Sequence, residues 1–85
     1  MSCVHHVSLG TNDYPKARAF YDAVMAALGL SLQMEVPGVA AAWGREHPEF
    51  WITAPHDGQP ATPGNGTHVC LAAASRAAVD AFHTT

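Results

Sequence analysis

The stretch His6 to Tyr21, HVSLGTNDYPKARAFY, contains the change of period that decides the fold. From Val4 to Gly10 the residues alternate. Cys3, His5, Val7 and Leu9 fall on one side and Val4, His6 and Ser8 on the other, a strand pattern with Val7 and Leu9 toward the core. Asn12 or Asp13 can cap a helix that Pro15 helps to start. Ala17, Phe20, Tyr21, Val24, Ala27 and Leu28 then recur at three- and four-residue steps until Gly29 ends the helix.

Beyond that helix, Leu30, Leu32, Met34 and Val36 alternate with Ser31, Gln33 and Glu35. Pro37-Gly38 suits the central positions of a type II turn, so Val39 to Trp43 should return as the second arm of a hairpin. The polar turn Arg45 to Pro48 precedes another apolar run, Phe50 to Thr53. In Pro55 to Gly66, three prolines and three glycines among twelve residues exclude helix and central strand. After this linker, Thr67 to Ala73 reads as a strand, and Ser75 caps a helix whose Val79 and Phe82 face inward.

The two strand-helix starts resemble each other. HVSLGTNDYPKARAFY from His6 aligns without gaps to HVCLAAASRAAVDAFH from His68, at an offset of 62, and His, Val, Leu, Ala and Phe coincide. The caps Asp13 and Ser75 also fall opposite one another. A duplicated unit of about 62 residues is the reading we adopt, with 1–54 as a first module, 55–66 as linker and 67–85 as the start of a second. A full second copy would end near residue 124, so the second module is expected to lack its last three strands. The fold class is α+β.

Composition narrows the function. The chain has 85 residues and carries four Lys or Arg against seven Asp or Glu, a net charge of −3. It therefore holds one small domain with no electrostatic footprint for nucleic acid or an anionic membrane. No apolar run approaches a membrane span. The opening MSCVHHVSLG lacks the basic and apolar regions of a secretory signal, which points to the cytoplasm. Cys3 and Cys70 are far apart and without CxxC spacing, so reduced thiols are expected. Six histidines are the outlier, because imidazole is the side chain best suited to metals and to proton transfer near neutrality.

His6 and His68 occupy equivalent places in the repeat, both away from the helix side, where two imidazoles can form half of a metal site. Trp51 and Trp43 are candidates to wall a small-molecule pocket. Cys70, two residues from His68, is a candidate soft ligand or nucleophile beside the alternative of a small buried thiol. By the alternation, His5 faces the opposite way from His6. His47 and His56 fall in turns and read as solvated, and His83 lies at the end of the last helix.

On these residues the chain resembles the vicinal oxygen chelate superfamily, which includes glyoxalase I, extradiol dioxygenases, methylmalonyl-CoA epimerase, fosfomycin-modifying enzymes and bleomycin-binding proteins. HHVSLGTNDYPKARAFYDAVMAALGL is similar to the family's opening strand and helix, GTHVCLAAASRAAVDAFH to the start of its second module, and FWITAPHDGQPATPGNG to small glyoxalase-like members. The resemblance implies βαβββ modules that together curl around a metal, with His6 and His68 at the ligand positions. It also implies a divalent ion (Zn, Ni, Fe or Mn) acting as a Lewis acid on a small vicinal-oxygen substrate, in lyase, isomerase or dioxygenase chemistry. Members with four protein ligands carry Glu where this chain has Trp51, and a further carboxylate comes from a strand this chain lacks. Whether this chain is itself an enzyme is left open, and no residue is assigned as catalytic. The alternatives are a metal-free sequestration module of the bleomycin-resistance type and a non-functional remnant. An incomplete second layer also leads to the expectation of a homodimer, with modules paired between chains or the segment from Thr67 exchanged.

Overall fold

The computed structural model describes residues 3–85, so the first two residues of the 1–54 module lie outside the described residues. Its elements are β1 (Val7–Gly10), α1 (Tyr14–Ala27), β2 (Ser31–Val36), β3 (Ala40–Gly44), β4 (Phe50–Thr53) and α2 (Arg76–Thr84). The sheet order is β1-β4-β3-β2, with β1 parallel to β4 and the other pairs antiparallel. This is the α+β, βαβββ architecture, followed by α2.

Asp13 caps α1, its Oδ1 accepting from the Lys16 amide at 3.1 Å. Gly29, at φ 77°, takes the left-handed conformation that stops the helix. The apolar stripe is the expected one except at its edge. Val24 and Leu28 are buried and Ala17 and Tyr21 pack on the core as expected, joined by Tyr14 and by the fully buried Met25, whereas Phe20 is 56% exposed. Phe20 lies on the flank, edge-on to Tyr21 with ring centroids 5.0 Å apart.

Ala41 and Trp43 of β3 and Phe50 and Ile52 of β4 join Met25 and Leu28 in the buried core, with Val7 and Leu9 packed against them. The β2–β3 turn closes as expected, the Val39 amide donating to the Val36 carbonyl at 2.9 Å with Gly38 at φ 77°. Within β2, however, the alternation breaks. Leu32 pairs with Trp43 and Met34 with Ala42, so Gln33 is an extra residue in a bulge. Its Nε2 donates to the carbonyls of Gly44 and Arg45 at 3.0 and 3.1 Å. Leu32 therefore stays on the helix side while Met34 and Val36, 53% and 50% exposed, move to the opposite face.

The expected strand Thr67–Ala73 is corrected. Its period survives, since Val69, Leu71 and Ala73 are half-buried and His68, Cys70 and Ala72 exposed, but it belongs to no strand ladder. A strand exists only with a hydrogen-bonded neighbour, and the described residues supply none here. Ser75 then caps α2, its Oγ accepting from the Ala78 amide at 3.1 Å. Val79 is 53% exposed, against expectation, because α2 turns Ala78 and Phe82 to the core and packs against α1. Among the described residues no helix is long and apolar enough to cross a membrane.

Candidate functional site

One face of the sheet is covered by α1, against which α2 packs. The pairing places Ser8, Trp51, Ala42 and Met34 in one row of the other face, and Gly10, Thr53, Ala40 and Val36 in the next. None of these eight side chains carries a charge. The His6 ring sits at the edge of the first row, 6.4 Å from the Trp51 ring at 64°.

Where β1 and β4 begin and β3 ends, residues 69–72 run beside the sheet and close a cleft of about 470 Å³. Val7, Leu30, Phe50, Val69 and Leu71 supply apolar lining, and His5, His6, Arg45, Glu49 and Cys70 supply polar groups. A few polar groups in an apolar hollow of this size suit a small organic molecule. Glu49 is well fixed: its amide donates to the Trp43 carbonyl at 3.0 Å, its carbonyl accepts from the Val7 amide at 2.9 Å, and its Oε2 accepts from the Arg45 amide at 3.1 Å. Sequence reasoning missed Arg45 and Glu49, because a charged turn between two strands looks the same whether or not a third strand begins beside it.

The expected site residues separate. Trp43 and Cys70 both line the cleft. Trp43 is only 1% exposed, a core floor whose Nε1 donates to Asp22 Oδ1 at 3.3 Å. Cys70 is exposed, which corrects the buried-thiol alternative; Cys3 is likewise an exposed free thiol. Trp51, half-buried, faces the open side beside His6. His68 is exposed and is not among the residues lining the cleft.

His5 does not point away from His6. The two Nδ1 atoms are 2.9 Å apart, since the strand that would splay these rings begins only at Val7. Nor is His47 merely solvated. Its Nε2 donates to the His5 carbonyl at 3.2 Å and its ring lies 4.5 Å from that of His5.

A divalent ion of the kind the family resemblance implies needs three or more donors around one point. Among the described residues no three His, Cys, Asp or Glu side chains form such a group. The side chain facing His6 is Trp51, whose indole only donates hydrogen bonds. The described residues do not fit a complete metal centre.

On the helix side, a polar cluster ties α1 to β2. Glu35 Oε2 accepts from the Tyr14 hydroxyl at 2.5 Å and from Arg18 Nε at 3.1 Å, while Arg18 Nη1 meets Asp22 at 3.2 Å. The Tyr14 hydrogen bond, with help from Arg18, holds the Glu35 carboxyl below its ordinary range. Desolvation, followed by Glu35 itself, pushes the Tyr14 hydroxyl up. Between the linker and the β1–α1 loop, Asn12 donates to the Ala61 carbonyl at 2.8 Å and accepts from its amide at 2.6 Å, which pins the Pro/Gly segment over Gly10.

No protein-family model matches the chain, and no curated protein does. Among solved structures it is similar to a glyoxalase/bleomycin resistance protein from Albidiferax ferrireducens T118, with 37% identity and a TM-score of 0.87 over 98% of this chain. It spans 66% of the length of that protein. With the βαβββ order, this likeness means that the chain belongs to the glyoxalase/bleomycin resistance proteins of the vicinal oxygen chelate superfamily.

Proposed function

We propose that this chain is a small-molecule-binding member of the family, taking a compact and partly apolar ligand into the cleft between the start of β1 and residues 69–72. The carrying observation is the cleft itself, about 470 Å³ with polar groups of both signs above an apolar floor. In this reading Cys70 and Glu49 contact the ligand, Trp43 forms the floor, and Trp51 extends the surface around His6 onto the open face. A second copy of the chain covers that face, since its two rows are uncharged and expose Met34 and Val36.

The metal-dependent reading is retained as a second one. Its support is that residues 69–72 and His6 border the same cleft, so the two segments carrying the repeat's histidines run close together. There His6 and His68 bind a divalent ion only weakly, because two neutral imidazoles offer neither the donor number nor the charge that a tight site needs.

A fragment panel followed by amide chemical shifts, with chelator present throughout, tests the first reading. Bound fragments are expected to shift His6, Glu49 and Leu71, and Leu71→Trp, which fills the cleft, is expected to abolish the shifts. Fragments that bind elsewhere, or that bind Leu71→Trp unchanged, refute it. Repeating the titration with Zn(II) in place of chelator tests the second reading through loss of binding in His68→Ala.

A further inference from the structure

Of the chain's four Lys and Arg residues, Arg45 alone borders the cleft. Arg18 is spent on Glu35 at 3.1 Å and Asp22 at 3.2 Å, and lies over the Trp43 ring at 5.7 Å. Lys16 lies with Asp13 in a separate hollow beside α1, and Arg76 opens α2. Arg45 is exposed, and among the described residues its guanidinium forms no ion pair. The acid that shares its turn is already engaged. Glu49 folds back over Gly44, where an added Cβ would lie 3.0 Å from its Oε2, and that oxygen accepts from the Arg45 backbone amide at 3.1 Å. The turn thus uses the carboxylate for its own backbone and leaves the five N–H donors of the guanidinium uncommitted.

Resting on the cleft reading proposed above, we infer that Arg45 sets the specificity of the cleft and that its ligand is a monocarboxylate with an apolar body. A guanidinium fork meets a carboxylate through two parallel charge-assisted hydrogen bonds, which an uncharged group of the same shape cannot match. One cation balances one negative charge, and Glu49 on the same cleft opposes a dianion such as a phosphate monoester. The His5–His6 pair adds a neutral donor to the lining: with one proton held between the two Nδ1 atoms, 2.9 Å apart, a neutral pair has one Nε2–H left to give. Val7, Leu30, Phe50, Val69 and Leu71 take the apolar body. In a chain of net charge −3, an unpaired Arg beside an apolar hollow is the feature that draws an organic acid there.

The test compares phenylacetate with phenylacetamide, alike in shape and different in charge, by amide chemical shifts of the full chain with chelator present. Both should shift Leu71, and the carboxylate is expected to bind about tenfold more tightly, a ratio that shrinks as NaCl is raised. Arg45→Gln keeps the backbone amide on Glu49, so it should bring the ratio to about one while leaving the urea midpoint where it is in the parent. Arg45→Lys keeps the charge and loses the fork, and should give a ratio between the two. Three outcomes overturn the inference and leave the cleft reading in place, because Leu71 still shifts: equal binding of the two probes in the parent, an unchanged ratio in Arg45→Gln, or phenyl phosphate binding more tightly than phenylacetate. If neither phenyl probe shifts Leu71, the cleft reading falls and takes the inference with it.

Discussion

The Tyr14 hydroxyl donates to the Glu35 carboxylate at 2.5 Å, so the first turn of α1 is tied to the far end of β2 across 21 residues of chain. Glu35 reaches the helix side only because the bulge at Gln33 has already turned Met34 away from it.

This contact carries a pH dependence. The folded Glu35 carboxyl lies below its ordinary value of 4.5, so its contribution to stability is present above that value and is lost as pH falls through the lowered one. Tyr14 lies above its ordinary 10.0, so its contribution is present below that value and is lost as pH rises through the raised one. Urea midpoints measured from pH 3 to pH 7 should fall toward acid in the parent and fall less in Tyr14→Phe, where Arg18 alone remains on Glu35. An identical acid slope in the two proteins would assign the effect to other carboxylates.

The edge of the helix stripe gives an unequal pair of substitutions. Met25→Ala empties a fully buried site and should cost about 2–5 kcal/mol, a large share of the roughly 5–15 kcal/mol that stabilises a small domain. Phe20→Ala, at a site 56% exposed, should cost under about 1 kcal/mol. Equal losses in chemical denaturation would restore Phe20 to the core.

Deleting Gln33 should leave the β2–β3 pairing unchanged, because a bulge is one surplus residue and its removal makes the ladder regular. Nuclear Overhauser contacts from Met34 to Ala42 are expected to survive. Gln33→Ala keeps the bulge but loses the donor to Gly44 and Arg45, and should cost about 1–2 kcal/mol. Disappearance of the Met34–Ala42 contacts in the deletion would mean that the side chain, and not the residue count, sets the register.

The uncharged face should hold a second copy. Sedimentation equilibrium at micromolar concentration is expected to show dimer, and Val36→Glu should raise the dissociation constant by about tenfold or more by burying an unpaired charge. A parent protein that sediments as monomer across this range removes the dimer from the proposal.

The sequence by itself determined the features that close within a few residues. Asp13 caps α1 and Ser75 caps α2 through the same hydrogen bond to the third residue beyond, 62 positions apart, as the repeat implied. Pro37-Gly38 turns the hairpin, and Pro55 to Gly66 stays out of helix and strand. Each rests on local torsion preferences or a single short hydrogen bond, so composition and spacing suffice.

Tertiary structure decided everything that needs a distant partner. Gln33 became a bulge because the Gly44 and Arg45 carbonyls stand across from it. Residues 67–73 kept a strand's alternation without becoming a strand, because no described strand pairs with their backbone. His5 and His6 converged, against their place in the alternation, because the ladder starts one residue after them and His47 arrives from another turn to hold His5. Period two records which side of the chain is buried, whereas the identity of the neighbour is set by how strands and turns meet in space.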